Sequence, residues 1–418
     1  MTAKFGIVSD DFTGGLLVAS YLEEAGVECP VYFDPDAAVA DDCAAPAIVV
    51  AGRTRLTPPA EAVAEASKAF DALNRLGYGR VAYKACASFD STEDGNIGPV
   101  ADLLADRYGD LPILMSAGFP EFRCTVHFGH LFYRGMLVNE SAKKLDPVTP
   151  MQDPNLVRFL SRQSKSPVGL LTHLDMAGGI AAAKSALGTL IADGYRQVLL
   201  DCSDMRDVAV STELALARKA VVASDPLIVS LALAHTDGLA GTAPPPKHAS
   251  GPAAILAGSV GPVAKSQIAT FRQEHPVLTI SLGGEASEDA QIGAALDWAG
   301  AHSGRPIAIT TFADDDEVKA VQAKLGTMEA ARKAERILAG VAKGLHAQGV
   351  RRFIVSGGET SGSVVSALGI ERVRPFARGP NGGGYCVADS SDPVSLFLKS
   401  GKLGAPDAFL TALDDMKS

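Results

Sequence analysis

Phe5-Gly6-Ile7-Val8-Ser9-Asp10-Asp11-Phe12-Thr13-Gly14-Gly15-Leu16-Leu17 is the stretch whose reading decides the fold. An apolar run of strand length, residues 5–8, ends in two acids and passes into an amphipathic stretch, 13–25, with helical spacing. Strand, polar junction, then helix is the repeating unit of a parallel sheet, and ligands collect at the carboxyl ends of such strands. Two adjacent acids there can hold a hydroxyl, a magnesium ion or a helix terminus. Asp11 or Thr13 can also serve simply as the helix cap.

The same alternation recurs along the chain. Strands are expected at 47–51, 81–84, 113–115, 168–171 and 198–201, with helices over 59–76 and 156–164. A break follows at Ala243-Pro244-Pro245-Pro246-Lys247-His248-Ala249-Ser250-Gly251, where consecutive prolines remove amide donors and favour extended backbone. Beyond it the pattern restarts, with strands near 253–257, 277–280, 307–311 and 353–355 and a helix over 328–348. Two α/β domains are expected, in line with 418 residues at roughly 100–200 per domain.

Composition narrows the function. Acidic residues number 48 against 38 basic ones, a net charge of −10, so no global cationic field exists to hold nucleic acid or an anionic membrane. The six cysteines show no CxxC or zinc spacing and read as buried free thiols in a reducing compartment. No apolar run approaches a bilayer span and no signal peptide is evident at residues 4–11, so a soluble cytoplasmic protein is expected. Asp314-Asp315-Asp316-Glu317 precedes a helical stretch and reads as a helix start, where acids complement the dipole.

Two further constellations carry chemistry. Tyr83-Lys84-Ala85-Cys86-Ala87-Ser88-Phe89-Asp90-Ser91-Thr92-Glu93-Asp94-Gly95-Asn96-Ile97-Gly98-Pro99 follows a strand and gathers a carboxylate, hydroxyls and an amide into one loop. That inventory suits a polyhydroxylated, oxygen-rich ligand. Arg351-Arg352-Phe353-Ile354-Val355-Ser356-Gly357-Gly358-Glu359-Thr360-Ser361-Gly362 runs from strand through a glycine and hydroxyl turn into a helix, a plausible phosphate cradle. Similar turns lie at Ala257-Gly258-Ser259-Val260-Gly261-Pro262 and at Lys399-Ser400-Gly401-Lys402-Leu403-Gly404. No GxxxxGK[ST] occurs, which excludes a Walker P-loop. A nicotinamide oxidoreductase is also disfavoured, because no GxGxxG follows an early strand.

With these motifs, together with Gly129-His130-Leu131-Phe132, Leu137-Val138-Asn139-Glu140-Ser141, Pro147-Val148-Thr149-Pro150-Met151 and Asn155-Leu156-Val157-Arg158, the chain resembles the four-carbon acid sugar kinase family over nearly its whole length. The resemblance implies two Rossmann-like three-layer α/β domains with mainly parallel sheets: a sugar-acid-binding domain at 1–242, a linker at 243–251 and a nucleotide-binding domain at 252–418. It implies a site in the cleft between them, ATP and Mg²⁺ as cofactors, and phosphorylation of a terminal hydroxyl of a short sugar acid such as 3-oxo-tetronate. Carried over by motif, the nucleotide contacts are Ser259, Gly358, Glu359, Thr360, Ser361 and a glycine of the last turn, Gly401 or Gly404. The acceptor site is assigned to Asp10, Asp11, Lys84, Ser88, Asp90, Ser91, Thr92, Asn96 and Arg123. Asp90 and Asp11 are both candidates for the carboxylate that takes or orients the hydroxyl proton.

Two positions depart from the family pattern. Leu17 stands where an acid is usual, and Cys124 stands where the family resembles Gly-Arg-Thr, so Arg123 is the remaining nearby bidentate partner for a carboxylate. The rival to a kinase with altered specificity is a non-catalytic paralogue that binds nucleotide and sugar acid. The sequence leaves the oligomeric state open, a homodimer included.

Overall fold

Runs such as Ala47-Ile48-Val49-Val50-Ala51 are buried along their whole length, as strands covered on both faces by helices must be. The computed structural model describes residues 4–146, 149–237, 239, 241, 244–258, 261–311, 315–378, 384–388, 390–401 and 404–417. The chain divides into two units, residues 1–243 and 244–418.

In the first unit the strands are β1 (Phe5–Ser9), β2 (Val31–Tyr32), β3 (Ala47–Ala51), β4 (Arg80–Lys84), β5 (Ile113–Ser116), β6 (Cys124–His127), β7 (His130–Tyr133), β8 (Met136–Leu137), β9 (Val168–Leu171), β10 (Gln197–Leu200) and β11 (Ala220–Ala223). The main sheet runs β2-β3-β1-β4-β11-β5-β10-β9, parallel throughout, while β6, β7 and β8 form a separate antiparallel sheet. Register aligns the strand exits. Ser9 lies beside Ala51 and Lys84, and Lys84 beside Ala223. Four loops therefore leave from one edge of the sheet. Phe70, Leu73, Tyr78 and Tyr83 pack beneath them in one apolar cluster.

The second unit contains β12 (Ala253–Ala257), β13 (Val277–Thr279), β14 (Ile307–Thr310), β15 (Arg352–Ser356), β16 (Arg372–Pro375), β17 (Tyr385–Ala388) and β18 (Val394–Lys399), ordered β13-β14-β12-β15-β18-β17-β16. The sheet is parallel from β13 to β18, and β17 and β16 add an antiparallel edge. The stretch expected as a linker edge is tied to this unit. His248 stacks on Phe376 with centroids 3.9 Å apart, and the Ala249 N–H donates to Ser395 Oγ at 2.8 Å.

The expected strands fall within a residue or two of the observed ones. The expectation lacks β2, β11, the small β6–β8 sheet, the parallel strand β18 and the antiparallel edge β17–β16, all pieces of two to six residues. Of the acidic run, Asp314 lies outside the described residues, and a helix spans Asp315–Leu325. No described helix is long and apolar enough to cross a membrane.

Phe70 is fully buried on the helix Pro59–Arg75. Phe70→Ala should cost about 3–5 kcal/mol in denaturant unfolding, through lost transfer energy and the cavity left behind. Leu174→Ala, at a side chain 64% exposed, should leave the same midpoint nearly unchanged.

Candidate active site

At the exit of β1, Asp10 and Asp11 meet a guanidinium from the exit of β3. Arg55 Nε and Nη2 grip the two Asp10 oxygens at 2.9 and 3.0 Å, a bidentate fork, and Nη2 also lies 2.9 Å from Asp11 Oδ1. Asp11 caps the helix Phe12–Glu24, accepting from Gly14 N and Thr13 Oγ1, both at 2.9 Å. The cap and the charge cluster are one structure. Burial acts to raise the Asp11 carboxyl, but Arg55 and Lys84, helped by the Thr13 and Gly14 hydrogen bonds, hold it below the ordinary carboxylate value.

Lys84, last residue of β4, is 3% exposed. Its Nζ stands 4.0 Å from Asp10, 3.9 Å from Asp11 and 3.9 Å from Asp225, which opens the helix after β11. Burial opposes its charge, and Asp225, Asp10 and Asp11 together overcome this and hold the amine firmly protonated. Burial pushes the Asp225 carboxyl up despite Lys84, and its Oδ1 is buried with no hydrogen-bond partner. The approach of Lys84 explains a glycine: a Cβ at Gly14 would lie 2.1 Å from Lys84 Nζ and 2.4 Å from Asp11 Oδ1.

The loop after β4 turns through Phe89 at φ +62°, in the left-handed region. This brings Asp90 to Ser88 Oγ at 2.9 Å and to Lys143 Nζ, which donates to both carboxylate oxygens at 2.7 Å. Cys86 Sγ lies 3.4 Å from the same carboxylate. Burial acts to raise Asp90, but Lys143 first, then Arg55 and Ser88, hold it below the ordinary value. Ser91 is buried and accepts from Gln163 at 3.0 Å, while Thr92 is exposed with its carbonyl accepting from the same amide. Asn96 Nδ2 donates to the carbonyls of Thr54 at 2.5 Å and Thr57 at 2.9 Å, so it pins the loop that carries Arg55.

Arg123 is exposed at φ +55°, behind a short 3₁₀ turn, and makes no ion pair among the described residues. Cys124 is buried and donates to the Ala87 carbonyl at 3.3 Å, beneath the Asp90 loop. Leu17 packs half-buried against the apolar cluster. Besides Lys84, the cations that reach the acids are thus Arg55 and Lys143. Sequence reasoning missed both of them, and Asp225. For Arg55 and Asp225 the available signal was positional: Gly52-Arg53-Thr54-Arg55 and Ser224-Asp225 directly follow parallel strands, as Asp10 does.

In the second unit the glycine turns after β12 and β15 are in contact. A Cβ at Gly258 would lie 2.4 Å from Thr360 Oγ1. Gly357, at φ +125°, donates its N–H to the Lys399 carbonyl at 3.0 Å, which joins the β15 turn to the end of β18. Among the described residues neither the helix Gly358–Ala367 nor the helix Pro262–Phe271 has a side-chain cap; the first opens on the free amide of Gly358, whereas the second opens on Pro262, which has none. A Cβ at Gly358 would meet nothing within 4 Å. Glu359 is exposed and Thr360 buried. Ser361 spends both its N–H and its hydroxyl on the Gly357 carbonyl, at 2.9 and 2.8 Å, and so supports the turn. Gly401 is buried, Gly404 takes φ +98°, and Ser259 lies outside the described residues.

The first unit thus presents charged and hydroxyl groups, and the second presents open glycine turns. A family model for a sugar-binding N-terminal domain matches residues 5–232, and one for a nucleotide-binding C-terminal domain matches 254–409. The chain belongs to the family built from these two domains. It is 40% identical over 423 residues to the 3-oxo-tetronate kinase of Cupriavidus necator and 38% identical over 418 residues to that of Burkholderia multivorans, in each case spanning 98% of this chain and 96% of the relative. Its structure is similar to a solved Salmonella typhimurium LT2 protein described as a candidate tRNA synthase, at TM-score 0.85 and 30% identity over 99% of both chains. A Haemophilus influenzae protein follows at TM-score 0.77 and 28% identity, covering 98% of this chain and 100% of that one.

Lys143→Met leaves the Asp90 carboxylate without its ion-pair partner and should destabilise the first unit by about 1–3 kcal/mol at pH 7. Because Asp90 is depressed in the folded chain, its stabilising contribution is present above the unfolded pKa and is lost as pH falls through the folded one. The Lys143→Met penalty in denaturant unfolding should therefore shrink below the ordinary value of 3.8. A penalty independent of pH would assign Lys143 a packing role only.

Proposed function

We propose that the chain is an ATP-dependent kinase that phosphorylates the terminal hydroxyl of a four-carbon sugar acid, with 3-oxo-tetronate as the leading substrate. The reading is carried by the open, uncapped turn at Gly358, in a chain whose first unit places Asp10, Arg55 and Asp90 in loops that follow aligned parallel strands, with Lys143 reaching Asp90 from a 3₁₀ turn. Its relatives' activity supports the substrate class.

Arg55 or Lys143 receives the acid end of the substrate, because Cys124 is turned into the core and Arg123 lies on the surface. Asp90 orients the attacking hydroxyl and accepts its proton, exchanging part of its Lys143 contact for the ligand. Asp11 is the poorer candidate, since its oxygens already serve Thr13, Gly14 and Arg55. The amides of Gly358, Glu359 and Thr360 receive phosphate oxygens, and the absence of a Cβ at Gly358 lets them approach closely. Mg²⁺ bound to the nucleotide supplies charge neutralisation. A magnesium ion carried by the nucleotide would not require a cage of protein ligands, and among the described residues no group of three acidic, His or Cys side chains would form one. The rest of the rate enhancement is positioning and exclusion of water.

The test is ADP release by the full chain with MgATP and a panel of 3-oxo-tetronate, erythronate and threonate. Acid-dependent ADP formation is expected, with Asp90→Asn lowering kcat by about 10²-fold or more while ATP affinity is kept. Gly358→Val should fold normally and lose ATP binding by calorimetry. Absence of turnover on every acid, with ATP still bound, would favour a non-catalytic binding protein. Unchanged ATP binding in Gly358→Val would move the nucleotide elsewhere.

A further inference from the structure

Lys399, the last residue of β18, is 7% exposed, and the proposed phosphate contacts do not use its amine. Nζ donates to Gln267 Oε1 at 3.0 Å, to Ser356 Oγ at 3.3 Å and to the Ser400 carbonyl at 2.8 Å. Three donors of an ammonium thus meet three neutral acceptors. Two of the acceptors flank glycine turns, Ser356 just before Gly357 and Ser400 just before Gly401, and the third, Gln267, lies within the helix Pro262–Phe271 that follows Gly261. Gln267 extends the tie by donating to the Ala405 carbonyl at 3.0 Å.

The surroundings hold no compensating anion among the described residues. The helix Ala408–Asp415 presents the Phe409 ring, 5.6 Å from the amine, and its Asp415 is engaged by the Tyr385 hydroxyl at 2.6 Å. Lys265 sits two positions from Gln267, hence on another face of its helix. Burial accordingly pushes the Lys399 amine down to about 8. A buried cation without an acid partner among the described residues, at a strand end whose carbonyl accepts from the Gly357 turn, has the electrostatics of a group that shares its charge with a bound anion.

We propose that Lys399 is the positioning cation of the nucleotide turns: it ties the turns after β15 and β18 to the helix that follows the β12 turn, and the polyphosphate is the anion that keeps it charged, so that nucleotide binding takes up a proton. This rests on the reading that the second unit binds ATP. It adds that the site's affinity is pH-dependent through one buried amine.

The experiment is calorimetry of ATP binding to the full chain in buffers of different ionisation enthalpy, at pH 8.5 and pH 6.5. At pH 8.5 the terminal phosphate, with a pKa of about 6, is already ionised and does not itself titrate. The wild type should take up roughly half a proton or more per ATP at pH 8.5 and close to none from Lys399 at pH 6.5. Lys399→Arg, charged at both values, should bind without that uptake at pH 8.5. Lys399→Met should weaken ATP binding by about tenfold or more, also without uptake. ATP binding by the wild type with no proton uptake at pH 8.5, or the same uptake in Lys399→Arg, would overturn the role of Lys399 and leave the nucleotide site standing. Failure of the wild type to bind ATP at all would overturn the nucleotide reading and the inference with it.

Discussion

A lysine amine enclosed by three carboxylates is the constraint on which the first unit is arranged. Lys84 stands within 4.0 Å of Asp10, Asp11 and Asp225, and Arg55 closes over the first two. Each of these charges would be costly to bury alone, and removing any one leaves its partners uncompensated. The cluster therefore demands that the exits of β1, β3, β4 and β11 lie side by side, which the parallel register provides. It also demands glycine at position 14, and it turns the cap of the first helix into part of the charge network.

The second unit solves a different problem with little fixed charge. Its turns are built from glycines, hydroxyls and free backbone amides, which suit an anion that brings its own charge and its own metal. On the proposed reading, a ligand of the first unit would instead meet Asp11 and Asp90, carboxylates held below the ordinary value, and cations already paired with them. Such a pocket is preorganised, because the groups are fixed before the ligand arrives and little reorganisation remains for the transition state. Phosphoryl transfer needs little else from a protein.

Much of this is legible in the sequence, for local reasons. Short apolar runs bounded by polar turns mark β1, β3, β4 and β12, and the Asp10-Asp11 pair, the Asp90 loop and the Gly357-Gly358 turn mark strand exits. What is not legible is pairing across the chain. Arg55 reaches Asp10 from 45 positions away and Lys143 reaches Asp90 from 53, and no periodicity reports such contacts. Asp225 reaches Lys84 from 141 positions away, after a strand, β11, that the sequence reading does not mark. The substitution at Cys124 is visible in sequence as a missing arginine, but only the packing shows that the thiol has turned inward and that Arg123, on the surface, does not take its place.

The most direct test of the account is a crystal structure of the full chain with a non-hydrolysable ATP analogue and a four-carbon sugar acid. The account predicts the acid at the exits of β1, β3 and β4, its carboxylate on Arg55 or Lys143 and its terminal hydroxyl on Asp90, with phosphate oxygens on the amides of Gly358 to Thr360. A sugar acid bound away from Arg55 and Asp90, or phosphates bound away from the Gly358 turn, would contradict it.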